Sequence, residues 1–161
     1  MTTGEYSMAI RIEATPSEVF PYLTDSAMML RWMGDWAELD PTVGGRFVVD
    51  INGVPIRGRY LAIDPPYRVV FSWGTAGDER MPAESTTVEI TLRADGDATV
   101  LDLVHMQLPE DQLPQHGVGW GHFLARLAVA ASGGDPGADP WAIEREVNAI
   151  PPEGTHESYE S

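Results

Sequence analysis

The order of the hydrophobic patterns constrains the fold of this chain more than any other feature. Between residues 44 and 105, apolar and polar residues alternate in short segments separated by turn signals such as Asn52-Gly53 and Asp64-Pro65-Pro66. From Trp120 to Ala131 the apolar spacing changes to that of one helical face. An antiparallel sheet has to cover its apolar face, and this helix is the only predicted element long enough to do so.

The pattern of the first 32 residues predicts three further secondary-structure elements. Residues 7–14 alternate as a half-buried strand, and a capping box follows over residues 15–18 (TPSE), which predicts a short helix. Residues 27–32 predict a second short helix. The fold class is therefore α+β: a curved antiparallel sheet of about six to seven strands wrapped around a long C-terminal helix, with two short helices after the first strand.

The length of 161 residues suits one domain, which we place at residues 1–134. Residues 135–161 are predicted to form a linker, a short helix over 141–148 and an acidic, disordered tail. An apolar stripe on that short helix predicts docking on the domain or on a second copy of the chain, which would make a homodimer.

Charge and composition exclude several functions. The net charge is -15, all ten basic residues are arginine, and the chain contains no cysteine. Schiff-base lysine and thiol chemistry are therefore ruled out. The acidity disfavours nucleic acids and anionic membrane surfaces. No segment predicts membrane insertion, so we expect a cytoplasmic protein.

Two histidines surround a Gly-Trp-Gly sequence at residues 116–122. His116 and His122 lie six positions apart, about 120° around a helix, so they cannot chelate one metal ion from a continuous helix. One interpretation places His116 at the helix N-terminus with a structural role and His122 in solvent. The other makes His116 a polar group at the rim of a cavity.

His105 shares a strand face with Leu101 and Leu103, which predicts that it points towards the long helix. It is the candidate catalytic residue if the protein is an enzyme, since a buried imidazole can act as an acid or base. The alternative is a histidine that is simply hydrogen-bonded within the core.

Several motifs in one order resemble the activator of heat shock protein 90 ATPase homologue family, part of the START-like superfamily that includes polyketide cyclases and dehydrases. The motifs are VFPYLTD and LRWMG (19–34), DP and GGRF (40–47), GRYLAIDPPYRVVFSW (58–73), LVHMQLPE (103–110) and HGVGWGHFLARL (116–127). The resemblance covers roughly residues 7–131. It implies a helix-grip fold with a hydrophobic cavity between the sheet and the helix.

Inward-facing positions are expected to supply the wall of that cavity. No cofactor is expected. They are Trp32, Phe47, Gly58, Tyr60, Phe71, Trp73, His105, Trp120, Phe123, Leu124 and Leu127.

Three functions remain open at this point. The favoured one is non-catalytic binding of a hydrophobic or lipid-like small molecule. The second is a cyclase or dehydratase that uses a cavity histidine as acid or base. The third is a chaperone-activator-like protein interaction module, which would expose an apolar patch.

The spacing of possible ligands also yields a prediction about metals. No three or four histidines and carboxylates have a workable spacing, so the domain should fold without a metal ion. We expect the melting temperature to be unchanged by exhaustive chelation. A stoichiometric ion that survives chelation, found by elemental analysis, would contradict this.

Overall fold

The computed structural model describes residues 2–141. Its N-terminal part matches the predicted order: strand β1 (Thr3–Ile12), helix α1 (Pro16–Val19) running into a 3₁₀ turn (Phe20–Leu23), and helix α2 (Ser26–Met29). The capping box is present, because the Thr15 side chain accepts from the Glu18 amide and the Glu18 carboxylate accepts from the Thr15 amide at 2.8 Å. The second helix ends at Met29, three residues before the predicted end.

Seven antiparallel strands form one sheet in the order β1-β7-β6-β5-β4-β3-β2. The further strands are β2 (Trp36–Leu39), β3 (Arg46–Ile51), β4 (Val54–Asp64), β5 (Arg68–Trp73), β6 (Thr86–Asp95) and β7 (Ala98–Pro109). The strand count agrees with the prediction. Strand β2 replaces a predicted loop: it is four residues long and carries charge, so only its pairing with β3 reveals it.

The long helix α3 spans Leu113–Ala131, after a 3₁₀ turn at Glu110–Gln112. The helical spacing in the sequence was evident only from Trp120, and the helix begins seven residues earlier. Pro114 lies in the first turn, where its missing amide hydrogen is not needed. A Cβ atom on Gly117 would lie 2.8 Å from Cε1 of Tyr6, so this glycine lets the helix approach β1 closely.

The core lies between the sheet and α3. Leu124 and Leu127 on the helix are fully buried. On the sheet, the rings of Phe47 and Phe71 stack with centroids 4.0 Å apart. Tyr67, which the alternation predicted to face inwards, is 55% exposed because β5 begins only at Arg68.

Strand β4 approaches β5 very closely at Gly58. The amide of Arg57 donates to the Gly74 carbonyl and that of Arg59 donates to the Ser72 hydroxyl, so the regular ladder with β5 is interrupted between them. A Cβ atom on Gly58 would lie 1.8 Å from the carbonyl oxygen of Ser72. Only glycine allows the two backbones to approach this closely.

The region after α3 was predicted to be a linker followed by a helix. Residues 135–141 lie against α3, as described below, and Pro140 and Trp141 at the end of this segment are helical. The remainder of the predicted helix and the acidic tail lie outside the described residues.

Because Gly58 lies so close to the backbone of β5, Gly58→Ala should destabilise the domain. The methyl group collides with backbone rather than with a movable side chain, so we expect a loss at or above the upper end of the roughly 1–3 kcal/mol typical of overpacking. The matched control is Gly121→Ala, where the added Cβ meets no atom within 4 Å. That change should stabilise the helix by about 0.5–1 kcal/mol. Urea denaturation measures both, and equal effects of the two substitutions would refute the argument.

Candidate functional site: a cavity at one end of the long helix

A cavity of about 840 Å³ opens between the first half of α3, the hairpin that joins β3 to β4, and the loop between β5 and β6. Its lining residues are Met33, Ile51, Asn52, Val54, Ile56, Trp73, Thr75, Asp78, Met81, Gln112, Gln115, His116, Val118, Gly119, Trp120, Phe123 and Trp141. Most of these are apolar, and the volume falls in the range of about 300–1,000 Å³ that is usual for small-molecule sites.

Exposed apolar side chains border the mouth of the cavity. Val118 on α3 is 64% exposed and Val54 at the start of β4 is 43% exposed, and both line the cavity. The loop between β5 and β6 is tied to the turn before α3 by an ion pair between Arg80 and Asp111.

The segment after α3 closes another side of the cavity. The Arg126 guanidinium donates to the carbonyls of Pro136 and Gly137, the latter at 3.0 Å. Asp139 accepts from Nε2 of His122 at 2.9 Å, and the Trp141 ring stacks on the imidazole of His122 with centroids 3.6 Å apart. His122 was predicted to face solvent, and this was wrong because the chain returns over it.

A buried hydrogen-bond chain joins α3 to the sheet. Nε1 of Trp120 donates to Nδ1 of His105 at 3.0 Å. Nε2 of His105 lies 2.8 Å from the Thr86 hydroxyl, which itself donates to the Trp73 carbonyl at 2.7 Å. Because the hydroxyl has only one hydrogen, Nε2 of His105 must be the donor, and the imidazole is neutral with its hydrogen on Nε2.

Burial and, to a smaller extent, the neighbouring His116 together lower the pKa of His105 to about 3. Both ring nitrogens are already engaged by protein groups, and His105 does not line the cavity. This geometry suits a structural histidine rather than an acid or base acting on a bound molecule.

His116 does line the cavity. Its Nδ1 lies 3.0 Å from the carbonyl oxygen of Gln112 and donates to it. Burial lowers the pKa of His116 below its ordinary value, which favours the neutral imidazole. With the hydrogen on Nδ1, Nε2 has a free lone pair.

Trp73 supplies a second polar atom to this region. The indole lines the cavity, yet its Nε1 is buried without a hydrogen-bond partner among the described residues. A buried donor without an acceptor costs about 1–3 kcal/mol, so such groups are uncommon in proteins.

Three of the predicted wall residues line the cavity: Trp73, Trp120 and Phe123. The other eight lie in the packed core around it: Trp32, Phe47, Gly58, Tyr60, Phe71, His105, Leu124 and Leu127. Two of these are anchored by hydrogen bonds to backbone, since Nε1 of Trp32 donates to the Tyr22 carbonyl and the Tyr60 hydroxyl donates to that of Leu23. Arg46, the first residue of β3, does not line the cavity and pairs with Glu38.

The sequence did not indicate the methionines, the hairpin or Trp141 as wall residues. Met33 and Met81 are buried residues from a turn and a loop, which carry no periodic signal. The Asn52-Gly53 turn was recognised, but its distance from α3 depends on how far the sheet curves. Trp141 reaches the cavity only because its segment folds back over His122.

Residues 2–141 contain neither a candidate metal site nor a candidate membrane-spanning helix. No group of three or more His, Cys, Asp or Glu side chains in this part of the chain is arranged to hold a metal ion. None of its helices has the length and apolar character required to span a bilayer.

A curved antiparallel sheet that grips one long helix, with a cavity between them, defines the START-like class of α+β domains. The chain belongs to the family described as activator of Hsp90 ATPase homolog 1-like protein, whose model matches residues 13–132.

Solved structures agree with this assignment. An AHSA1-like protein from Rhizobium etli is 37% identical, with a TM-score of 0.70, over 87% of this chain and 89% of that one. CalU16 from Micromonospora echinospora is 26% identical, with a TM-score of 0.70, over 98% of this chain and 86% of that one. The Aha1 dimer from Colwellia psychrerythraea is 22% identical, with a TM-score of 0.71, over 83% and 98%, and shares the fold. None of the curated proteins gives a significant sequence match.

The low pKa of His105 predicts a pH dependence of stability. Between about pH 6.5 and about pH 3 the unfolded chain binds a proton at this residue that the native state does not bind, so the free energy of unfolding falls as the pH falls through this window. The stabilisation is fully present above about pH 6.5. From about pH 7.5 to about pH 5, His105 should account for about 2 kcal/mol of the loss.

His105→Gln keeps a donor and an acceptor but does not titrate, and it isolates this contribution from that of other groups. Urea denaturation at the two pH values should show the smaller loss in the variant. An identical pH dependence in both proteins would contradict a buried, neutral His105.

Proposed function

We propose that this protein binds a hydrophobic small molecule in the cavity between α3 and the sheet, without transforming it. The observation that carries the proposal is the cavity of about 840 Å³, whose wall is built mainly from aromatic, aliphatic and methionine side chains. Apolar ligands gain roughly 25 cal/mol for each Å² of apolar surface removed from water, so a wall of this kind favours them.

Flexible side chains allow the cavity wall to adapt to the shape of a ligand. Met33 and Met81 have unbranched, flexible side chains that can change rotamer at little cost. Trp73 and Trp120, with ring centroids 5.1 Å apart, provide a rigid aromatic surface beside them. A hydrophobic ligand can therefore stack on the indoles while the methionines adjust to its shape.

Charge limits the ligand further. Asp78 lines the cavity, and the chain as a whole carries a net charge of -15. An anionic ligand would be repelled at the mouth and would find no arginine among the described lining residues. The mainly apolar wall in turn favours a neutral ligand over a cation, whose charge is costly to desolvate.

An enzymatic alternative of the cyclase or dehydratase kind would depend on His116, because both nitrogens of His105 are engaged. His116 lines the cavity, its Nε2 carries a lone pair, and its lowered pKa keeps the imidazole unprotonated, as a general base must be. A second acid or base beside it would be needed for the reaction, and Asp78 is the only carboxylate among the lining residues that the structure describes.

The family description favours one further candidate, the activation of a chaperone ATPase. Such a role requires an exposed docking surface. Val54 and Val118 at the cavity mouth are apolar and exposed, and they are the residues such a partner would cover.

The proposal that the cavity binds a ligand can be tested with a substitution on α3 that fills the cavity. Gly119 lines the cavity, and a Cβ atom there meets nothing within 4 Å, so the side chain of Gly119→Leu starts in open space at the cavity wall. Gly121→Leu is the matched control, since it also meets no atom within 4 Å but does not line the cavity. Both changes remove a helical glycine and should stabilise α3 similarly.

The neutral fluorescent probe N-phenyl-1-naphthylamine should bind the wild type and Gly121→Leu alike. Gly119→Leu should bind it at least about tenfold more weakly, a difference of about 1.4 kcal/mol. Fluorescence titration gives the dissociation constants. Equal binding by all three proteins would place the probe elsewhere, and absence of binding to the wild type would refute the proposal.

A further inference from the structure

The two polar atoms described above have opposite hydrogen-bonding character. Trp73 has an N–H donor with no acceptor among the described residues, and indole nitrogen can only donate. His116 has an Nε2 lone pair, because its Nδ1 hydrogen is committed to the Gln112 carbonyl. One atom therefore lacks an acceptor, and the other lacks a donor.

Both side chains lie at the same end of the cavity. Their rings pack against the same imidazole, since the centroid of His105 is 5.7 Å from that of Trp73 and 5.3 Å from that of His116. His105 cannot satisfy either one, because its own nitrogens bond to Thr86 and Trp120. A molecule that occupies this end of the cavity lies beside both side chains.

We propose, building on the proposed function, that the ligand is a neutral hydroxylated ketone or a similar compound, with an otherwise apolar frame. Its carbonyl oxygen accepts from Nε1 of Trp73, and its hydroxyl donates to Nε2 of His116. Trp73 and His116 thereby select for polar groups that the remaining aromatic and methionine wall would disfavour.

Because Nε1 of Trp73 is buried, a ligand carbonyl can bond to it only after a change in the cavity wall. The atom itself is covered, so a carbonyl oxygen reaches it only when a lining side chain moves. Met33 and Met81 are the flexible members of the wall that can make this movement. Binding of a carbonyl compound should therefore rearrange the methionines, whereas the indoles stay in place.

Two isosteric pairs of neutral probes test the two hydrogen bonds separately. For Trp73 the pair is 2-acetylnaphthalene and 2-isopropylnaphthalene, which differ in a carbonyl oxygen. For His116 the pair is 2-naphthol and 2-methylnaphthalene, which differ in a hydroxyl group. Affinities are measured by displacement of N-phenyl-1-naphthylamine.

Without protein partners, the polar member of each pair would bind more weakly, because desolvation of a carbonyl or hydroxyl is unfavourable in an apolar cavity. With the proposed bonds, the wild type should prefer the polar member of each pair by about 3- to 10-fold. Trp73→Phe should abolish the preference for acetylnaphthalene only. His116→Phe should abolish the preference for naphthol only, so each variant is the control for the other.

A second measurement does not depend on the stability of either variant. In the wild type, the indole N–H resonance of Trp73 should shift downfield with 2-acetylnaphthalene and not with 2-isopropylnaphthalene. Binding of all four probes without a polar preference, or without this shift, overturns the inference and leaves the proposed function intact. Failure of N-phenyl-1-naphthylamine and every probe to bind refutes both.

Discussion

The hydrogen-bond chain from Trp120 through His105 and Thr86 to the backbone of Trp73 is the interaction on which the rest of the structure depends. Apolar contacts between a helix and a sheet have no direction and tolerate sliding and rotation. This chain links α3 to β7, β6 and β5 through groups that would be costly to leave unpaired in the core. It therefore sets the rotation and height of the helix on the sheet, and its neutral histidine explains why acid should weaken the fold.

The position of the cavity follows from that attachment. Beyond Trp120, Leu124 and Leu127 fill the space against the sheet completely, and the Tyr22 hydroxyl donates to the Ala130 carbonyl near the end of the helix. Before Trp120, α3 carries Gly119 where a large side chain would fill the gap, and the hairpin after β3 remains at a distance. One helix thus has a tightly packed half that stabilises the domain and an open half that forms a binding site.

The open half is also where the domain leaves polar groups unsatisfied. Trp73 has a buried donor without a partner among the described residues, whereas two other buried aromatic residues, Trp32 and Tyr60, donate to backbone carbonyls. Proteins usually satisfy buried polar atoms, so each exception calls for an explanation. Trp141, which stacks on His122 and whose amide donates to Asp139, lines the same cavity.

The sequence by itself determined the elements that depend on local pattern. Alternation identified six of the strands, the capping box over residues 15–18 identified α1, and the spacing of Trp120, Leu124 and Leu127 identified the buried face of α3. It also placed His105 on the inward face of its strand. Tertiary structure decided what no local pattern contains: the pairing that makes β2 a strand, the contact with Tyr6 that Gly117 permits, and the return of Trp141 over His122. The cavity belongs to this second group, because it is a space between residues far apart in the sequence. Hydrophobic periodicity reports that a side chain is buried, but whether it meets packed core or open space depends on the angle between helix and sheet.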